Sequence, residues 1–140
     1  MFPLSTKRSL PMALLRARES VMSHFRPMLA AHEVTEQQWR VLRVLDENGP
    51  LDATQVANHS AVLAPSLTRI IKALEDRRFV QRARAEDDGR KAVLTITEAG
   101  STFIDAIAPE QKRIYSELEG RYGTEKIERL LDLLEEFSER

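Results

Sequence analysis

Apolar residues recur along this chain at intervals of three and four, interrupted once by a short stretch of strict alternation. From about Ser9 to His32, Leu14, Leu15, Val21, Met22, Phe25 and Leu29 follow the helical interval, and Pro27 inside this stretch is expected to kink or shorten the helix. Thr35-Glu36-Gln37-Gln38 has the spacing of a capping box. The Thr35 hydroxyl can accept from the Gln38 amide while the Gln38 side chain reaches back. The helix it opens runs through Trp39, Leu42 and Leu45 to Asn48-Gly49-Pro50, a glycine stop followed by proline. Asp52 and Gln55 repeat the capping spacing ahead of a short helix ending near His59. Pro65 suits the first turn of another, expected to reach about Arg78. In that helix Leu67, Ile70, Ile71 and Leu74 stand at i, i+3, i+4 and i+7 and share one stripe, with Thr68, Arg69 and Lys72 on the opposite arc.

The alternation comes next. Phe79 to Arg84 reads as a strand, Asp88-Gly89 as a turn, and Lys91 to Thr97 as a second strand with Ala92, Leu94 and Ile96 on one side. Thr97-Glu98 then caps a long helix through Phe103, Ile104, Ile107, Ile114 and Leu118, with a kink expected at Pro109. After Gly120 and Gly123, Thr124 starts a last helix with Ile127, Leu130, Leu131, Leu134 and Phe137 on one stripe. The order is four helical segments, a hairpin and two helices: a mainly α chain with a small β-hairpin.

Composition narrows the classes. At 140 residues and 42% apolar content the chain is sized for one domain, and no apolar run approaches a membrane span. The segment Met1–Leu10 carries Lys7 and Arg8 without a following apolar stretch, so no secretory signal and a cytoplasmic location are the expectations. The absence of cysteine removes disulfides, thiolate nucleophiles and thiolate metal sites. His24, His32 and His59 have no metal-ligand spacing, and there is no nucleophile elbow or phosphate loop. No catalytic residue, metal or cofactor is expected.

Net charge is −1, but it is unevenly spread. Residues 66–91 carry eight Lys or Arg against five acids, and residues 124–140 carry six acids against three bases. A near-neutral total therefore hides a basic middle, although a solvated face can produce the same imbalance. Short helices followed at once by a two-stranded hairpin match the winged helix-turn-helix plan, in which one helix enters the major groove and the hairpin lies along the backbone. On that reading Ser66, Thr68, Arg69 and Lys72 face DNA bases and phosphates, while Arg82, Arg84, Arg90 and Lys91 of the hairpin meet phosphates or the minor groove. The rival is a winged-helix interaction module that never touches DNA. Such a module has no need of a basic outer arc.

The run from Leu67 to Gly100 resembles the recognition helix and wing of the MarR family of bacterial repressors. The residues that carry the resemblance are Ser66 with Thr68 and Arg69, Asp88 with Arg90 at the wing, and Leu94 with Thr95, Thr97 and Gly100. The N-terminal segment from Ser9 to Leu45 resembles the branch that represses homoprotocatechuate (4-hydroxyphenylacetate) degradation operons. Gly89 departs from the many relatives that carry a second arginine beside Arg90. The resemblance implies a single MarR-type domain over 1–140, with a DNA-binding lobe at 35–97 and dimerisation helices at 9–32 and 98–140. It implies a homodimer on a palindromic double-stranded operator, released by a small aromatic acid. Amphipathic terminal helices independently favour pairing between copies, the alternative being an intramolecular helix pair. In this family ligands bind where the dimer helices meet the lobe, which places Arg16, Ser20, Ser23 and His24 of the first helix beside Trp39, Arg40 and Arg43. A guanidinium and an indole suit a phenolic carboxylate, although a tryptophan in such a place is more often plain core and a histidine more often a surface or core residue.

Overall fold

The computed structural model describes residues 6–84 and 92–138, Arg84 through its backbone only. A short 3-10 turn, Thr6–Arg8, precedes helix α1 (Leu10–Ser23), α2 (Arg26–Ala31) and α3 (Glu36–Asn48). Strand β1 (Leu51–Asp52), α4 (Ala53–Ser60), α5 (Ala64–Asp76), β2 (Val80–Arg84) and β3 (Ala92–Ile96) follow. Helices α6 (Glu98–Tyr122) and α7 (Thr124–Phe137) end the chain. The expected Asp88-Gly89 turn lies outside the described residues.

Both capping boxes form. Thr35 accepts from the Gln38 amide at 3.1 Å and Gln38 accepts from the Thr35 amide at 3.2 Å; Asp52 and Gln55 repeat this at 2.9 and 3.0 Å. Gly49 closes α3 at φ 76°, in the left-handed region where glycine carries no Cβ penalty. The helix expected over Ser9–His32 is two helices. Pro27 stands in the first turn of α2, where its missing N–H costs no helical hydrogen bond, and the chain breaks at His24-Phe25. A bidentate pair from Arg26 to Glu19, 2.9 Å on each arm, spans the break. That hydrogen bond and the cation's charge hold the Glu19 carboxyl below its ordinary range.

The sheet is antiparallel with order β1-β3-β2. Val80 pairs with Ile96 and Arg84 with Ala92 across the hairpin, while Leu51 pairs with Leu94 on the other side of β3. Strand β1 was not expected. It is two residues long, and Asp52 is both its last residue and the cap of α4. The core joins Leu42 and Leu45 of α3, Val56 of α4, the α5 stripe, Val80 and Leu94. Burial of Leu67, Ile70, Ile71 and Leu74 fixes how α5 is rotated, at roughly 1.5–3 kcal/mol for each side chain.

Helix α5 ends at Asp76, short of the expected Arg78, because Arg78 turns left-handed at φ 63°. The junction behind it is densely bonded. Thr97 donates through Oγ1 to the Arg78 carbonyl at 2.7 Å and caps α6 by accepting from the Gly100 amide at 3.0 Å. The Arg77 guanidinium donates to the carbonyls of Glu33 and His32. It also lies over the rings of Phe79 and Phe103, 4.7 and 5.1 Å from their centroids. This arginine therefore ties the turn after α2 to the end of α5 and the base of the hairpin.

Gly100 sits where a Cβ would run into the Phe79 carbonyl oxygen and come within 2.7 Å of Ile96 Cγ1. That carbonyl is held by the Thr97 amide at 2.9 Å, so it is not free to retreat. Gly100→Ala should lower stability by about 2–3 kcal/mol and the melting midpoint by roughly 5–10 °C. An unchanged thermal transition would contradict this packing.

The chain divides into two compact units, one ending at Ile107 and one beginning at Ala108. Helix α6 is assigned over Glu98–Tyr122 with Pro109 inside it. In α7 none of the side chains is buried; Leu130, Leu131, Leu133 and Phe137 are all exposed.

Candidate nucleic-acid interface and effector site

The outer arc of α5 follows from its stripe. With Leu67, Ile70, Ile71 and Leu74 turned inward, Thr68, Arg69 and Lys72 are exposed and Ser66 is half-buried. Arg69 has no acidic partner among the described residues. Lys72 stands 3.8 Å from Asp76, an exposed i,i+4 pair of the kind that contributes only about 0.3–0.5 kcal/mol and leaves the ammonium available.

The hairpin adds Arg82, half-exposed on β2, which pairs with Glu75 of α5 at 3.0 Å. The pair fixes the strand against the helix and partly neutralises the arginine. Asp88, Arg90 and Lys91, also expected to meet DNA, lie outside the described residues, and only the backbone of Arg84 is described. A shallow cavity of about 150 Å³ opens between α4, α5 and the sheet, floored by Leu67, Ile71 and Leu94. Thr54, Thr68 and Arg82 join its lining from three separate elements. Sequence reasoning missed Thr54. Its only local mark is its place in the first turn of α4, which many unrelated threonines share.

The second set of expected residues divides. Trp39 is buried and packs at a tilt against Phe25, with centroids 5.9 Å apart. The Arg43 guanidinium lies over the indole, 5.2 Å from the ring centroid, and reaches Glu47 at 3.6 Å. Arg40 donates to Glu36 at 3.0 Å, and Arg18 of α1 pairs with the same carboxylate. The Nε of Arg40 is buried with no hydrogen-bond partner among the described residues. Burial, followed by the charge of Arg18, lowers the Arg40 pKa. Two cations sharing one acid leave a local excess of positive charge between α1 and α3. Arg16 donates to the carbonyls of Thr6 and Lys7 at 3.1 and 3.2 Å, and Ser23 to the Ser20 carbonyl at 2.7 Å. Both are thus engaged locally on exposed surface. His24 is half-buried at the end of α1.

Sequence reasoning also missed Phe25, Arg18 and Glu36. The four-residue spacing of Glu36 and Arg40 was a usable signal. Arg18 had none, because its acid lies on another helix. Among the described residues no three His, Cys, Asp or Glu gather as a metal site, and no helix is long and apolar enough to cross a membrane.

The chain is similar to known proteins. Residues 34–92 match the model of the MarR family. The homoprotocatechuate degradative operon repressor of Escherichia coli is 38% identical over 129 residues, covering 92% of this chain and 87% of that protein. The crystal structure of NadR in complex with 4-hydroxyphenylacetate superposes with a TM-score of 0.84 at 38% identity, over 99% of both chains. The transcriptional repressor CouR, bound to a 23-mer DNA duplex, gives 0.85 at 27% identity, over 95% of this chain and 94% of that one.

Proposed function

The chain belongs to the MarR family, and on that premise we propose that it is a DNA-binding transcriptional repressor of an aromatic-catabolism operon, released from its operator by a small aromatic acid. The observation that carries the reading is the outer arc of α5. Ser66, Thr68, Arg69 and Lys72 lie opposite a fully packed stripe, so they are both displayed and rigidly aimed. Arginine can address guanine through two hydrogen bonds, and hydroxyls can meet bases or phosphates. Arg82 and Arg84, with Asp88, Arg90 and Lys91, extend the contact along the hairpin. Residues 35–97 form the DNA-binding lobe.

Two copies act together. Leu10, Met12, Leu14, Leu15 and Val21 of α1 and Leu130, Leu131, Leu133 and Phe137 of α7 are exposed large apolar side chains. Such stripes are costly in water and suit a two-fold interface. Pairing through residues 9–32 and 98–140 sets two α5 helices about 34 Å apart, one turn of DNA, on a palindromic operator. A protein that reads promoters in this way works in the cytoplasm.

The aromatic effector is read by Trp39 and Arg43, supported by the excess charge at Arg18 and Arg40. The indole and Phe25 offer ring faces, and a carboxylate can satisfy a guanidinium. The relatives point to the same ligand class, since NadR holds 4-hydroxyphenylacetate.

The test is a titration of the complex between the wild-type protein and an operator selected from random duplexes. The complex should weaken steeply with salt, and a phenolic acetate should lower operator affinity by about tenfold or more. Arg43→Ala should bind the operator normally and lose this response. Unchanged affinity across a series of phenolic acids overturns the effector reading. Failure to bind any duplex overturns the repressor reading in favour of an interaction module.

A further inference from the structure

Leu63 breaks two local rules at once. It is the N-cap of α5, a position that favours Ser, Thr, Asp or Asn, yet it offers no side-chain oxygen and the cap hydrogen bond is missing. It is also the most exposed large apolar residue described, at 77%. The periodicity that buries Leu67, Ile70 and Leu74 extends backward to position 63. There the extended backbone, φ −69° and ψ 138°, takes the residue out of the helical path to the tip of α5. Sites that break local preference in an otherwise consistent element are where function is to be sought.

This leucine does not belong to a floppy loop. Its carbonyl accepts from the Ser66 and Leu67 amides at 3.0 and 3.2 Å, and both apolar neighbours, Val62 and Leu67, are buried. Nor does it extend the stripes of α1 and α7. Among the described residues from 22 to 114 it is the only exposed large hydrophobic, followed along the chain by exposed Ala64 and Pro65 and, further into α5, by exposed Thr68 and Arg69. A protein partner needs a patch; one aliphatic group at the tip of α5, on a backbone held by hydrogen bonds, fits a single methyl.

We propose that Leu63 is a specificity-determining residue that reads the 5-methyl group of a thymine in the major groove of each half-site. Recognition helices contact base edges with their N-terminal residues, and apolar side chains distinguish thymine by that methyl. The inference rests on the entry of α5 into the groove and adds to it a base and an atom.

Leu63→Ser gives a decisive comparison because serine supplies the missing cap and should leave the fold intact. Wild type should select duplexes with a thymine at one fixed position of each half-site. Uracil there, which lacks only the methyl, should weaken wild-type binding about fourfold for each half-site and about fifteenfold for both. Leu63→Ser should bind the thymine duplex more weakly and show no difference between thymine and uracil. Tolerance of uracil by wild type at every half-site thymine, a selected half-site without thymine, or a thymine preference surviving in Leu63→Ser each overturns the inference. If Arg69→Ala binds the selected duplex as tightly as wild type, the placement of α5 falls and this inference falls with it. If Arg69→Ala fails while uracil is tolerated, the methyl reading alone falls.

Discussion

Arg69→Ala should bind operator DNA at least thirtyfold more weakly than wild type, with an unchanged dimer and melting curve. The reasoning begins with what Arg69 does not do. It is exposed on the polar arc of α5 and has no ion-pair partner among the described residues, so its removal costs the fold almost nothing. In the complex its planar donor fork can pair with the O6 and N7 of a guanine. A pair of that kind contributes about 1–3 kcal/mol, and a symmetric dimer makes it twice. The expected loss is therefore about 2–6 kcal/mol, from roughly thirtyfold to more than ten-thousandfold. Lys112→Ala removes the same charge from an exposed site on α6 and should change affinity little. Equal effects of the two variants would reduce Arg69 to a general positive charge. Near-normal affinity of Arg69→Ala would remove α5 from the interface.

A second large effect is expected from Leu130→Glu combined with Leu131→Glu. Helix α7 buries none of its own side chains, and both leucines are exposed on it. If another copy covers this face, two carboxylates placed there meet apolar surface and each other, which costs several kcal/mol in each protomer. The variant should sediment as a monomer at concentrations where wild type is a dimer. Its operator affinity should fall by about 10²–10⁴, the advantage lost when two half-sites are no longer gripped together. A variant that remains dimeric would transfer the pairing role to other surfaces.

The residues show which parts of this fold were legible in advance. Thr35 with Gln38 and Asp52 with Gln55 act within one turn, so spacing alone predicts the bonds that form. The α5 stripe was equally readable, because a packed stripe and its exposed arc are two sides of one periodicity. What escaped was non-local. Strand β1 is two residues that become a strand only against Val93 and Leu94, some forty positions later. The end of α5 depends on the left-handed turn at Arg78, whose carbonyl is held by Thr97. The apolar interval runs on across Phe25 and Met28, concealing the break between α1 and α2 that lies just ahead of Pro27. In the proposed effector region Trp39, Arg40 and Arg43 were named from what the family resemblance implies together with residue type. The arrangement of Arg18 and Arg40 on one carboxylate, and the indole facing Phe25, required the packed helices.

These features share one requirement: the α5 arc must face a duplex from two copies at once. Hydroxyl-radical and methylation-protection footprinting of the wild-type complex reads that arrangement directly. Two major-groove protections centred about 10–10.5 base pairs apart on one face of the DNA, with two protomers bound to each duplex, are the expected result. A single protected half-site, or protection confined to the minor groove, would contradict it.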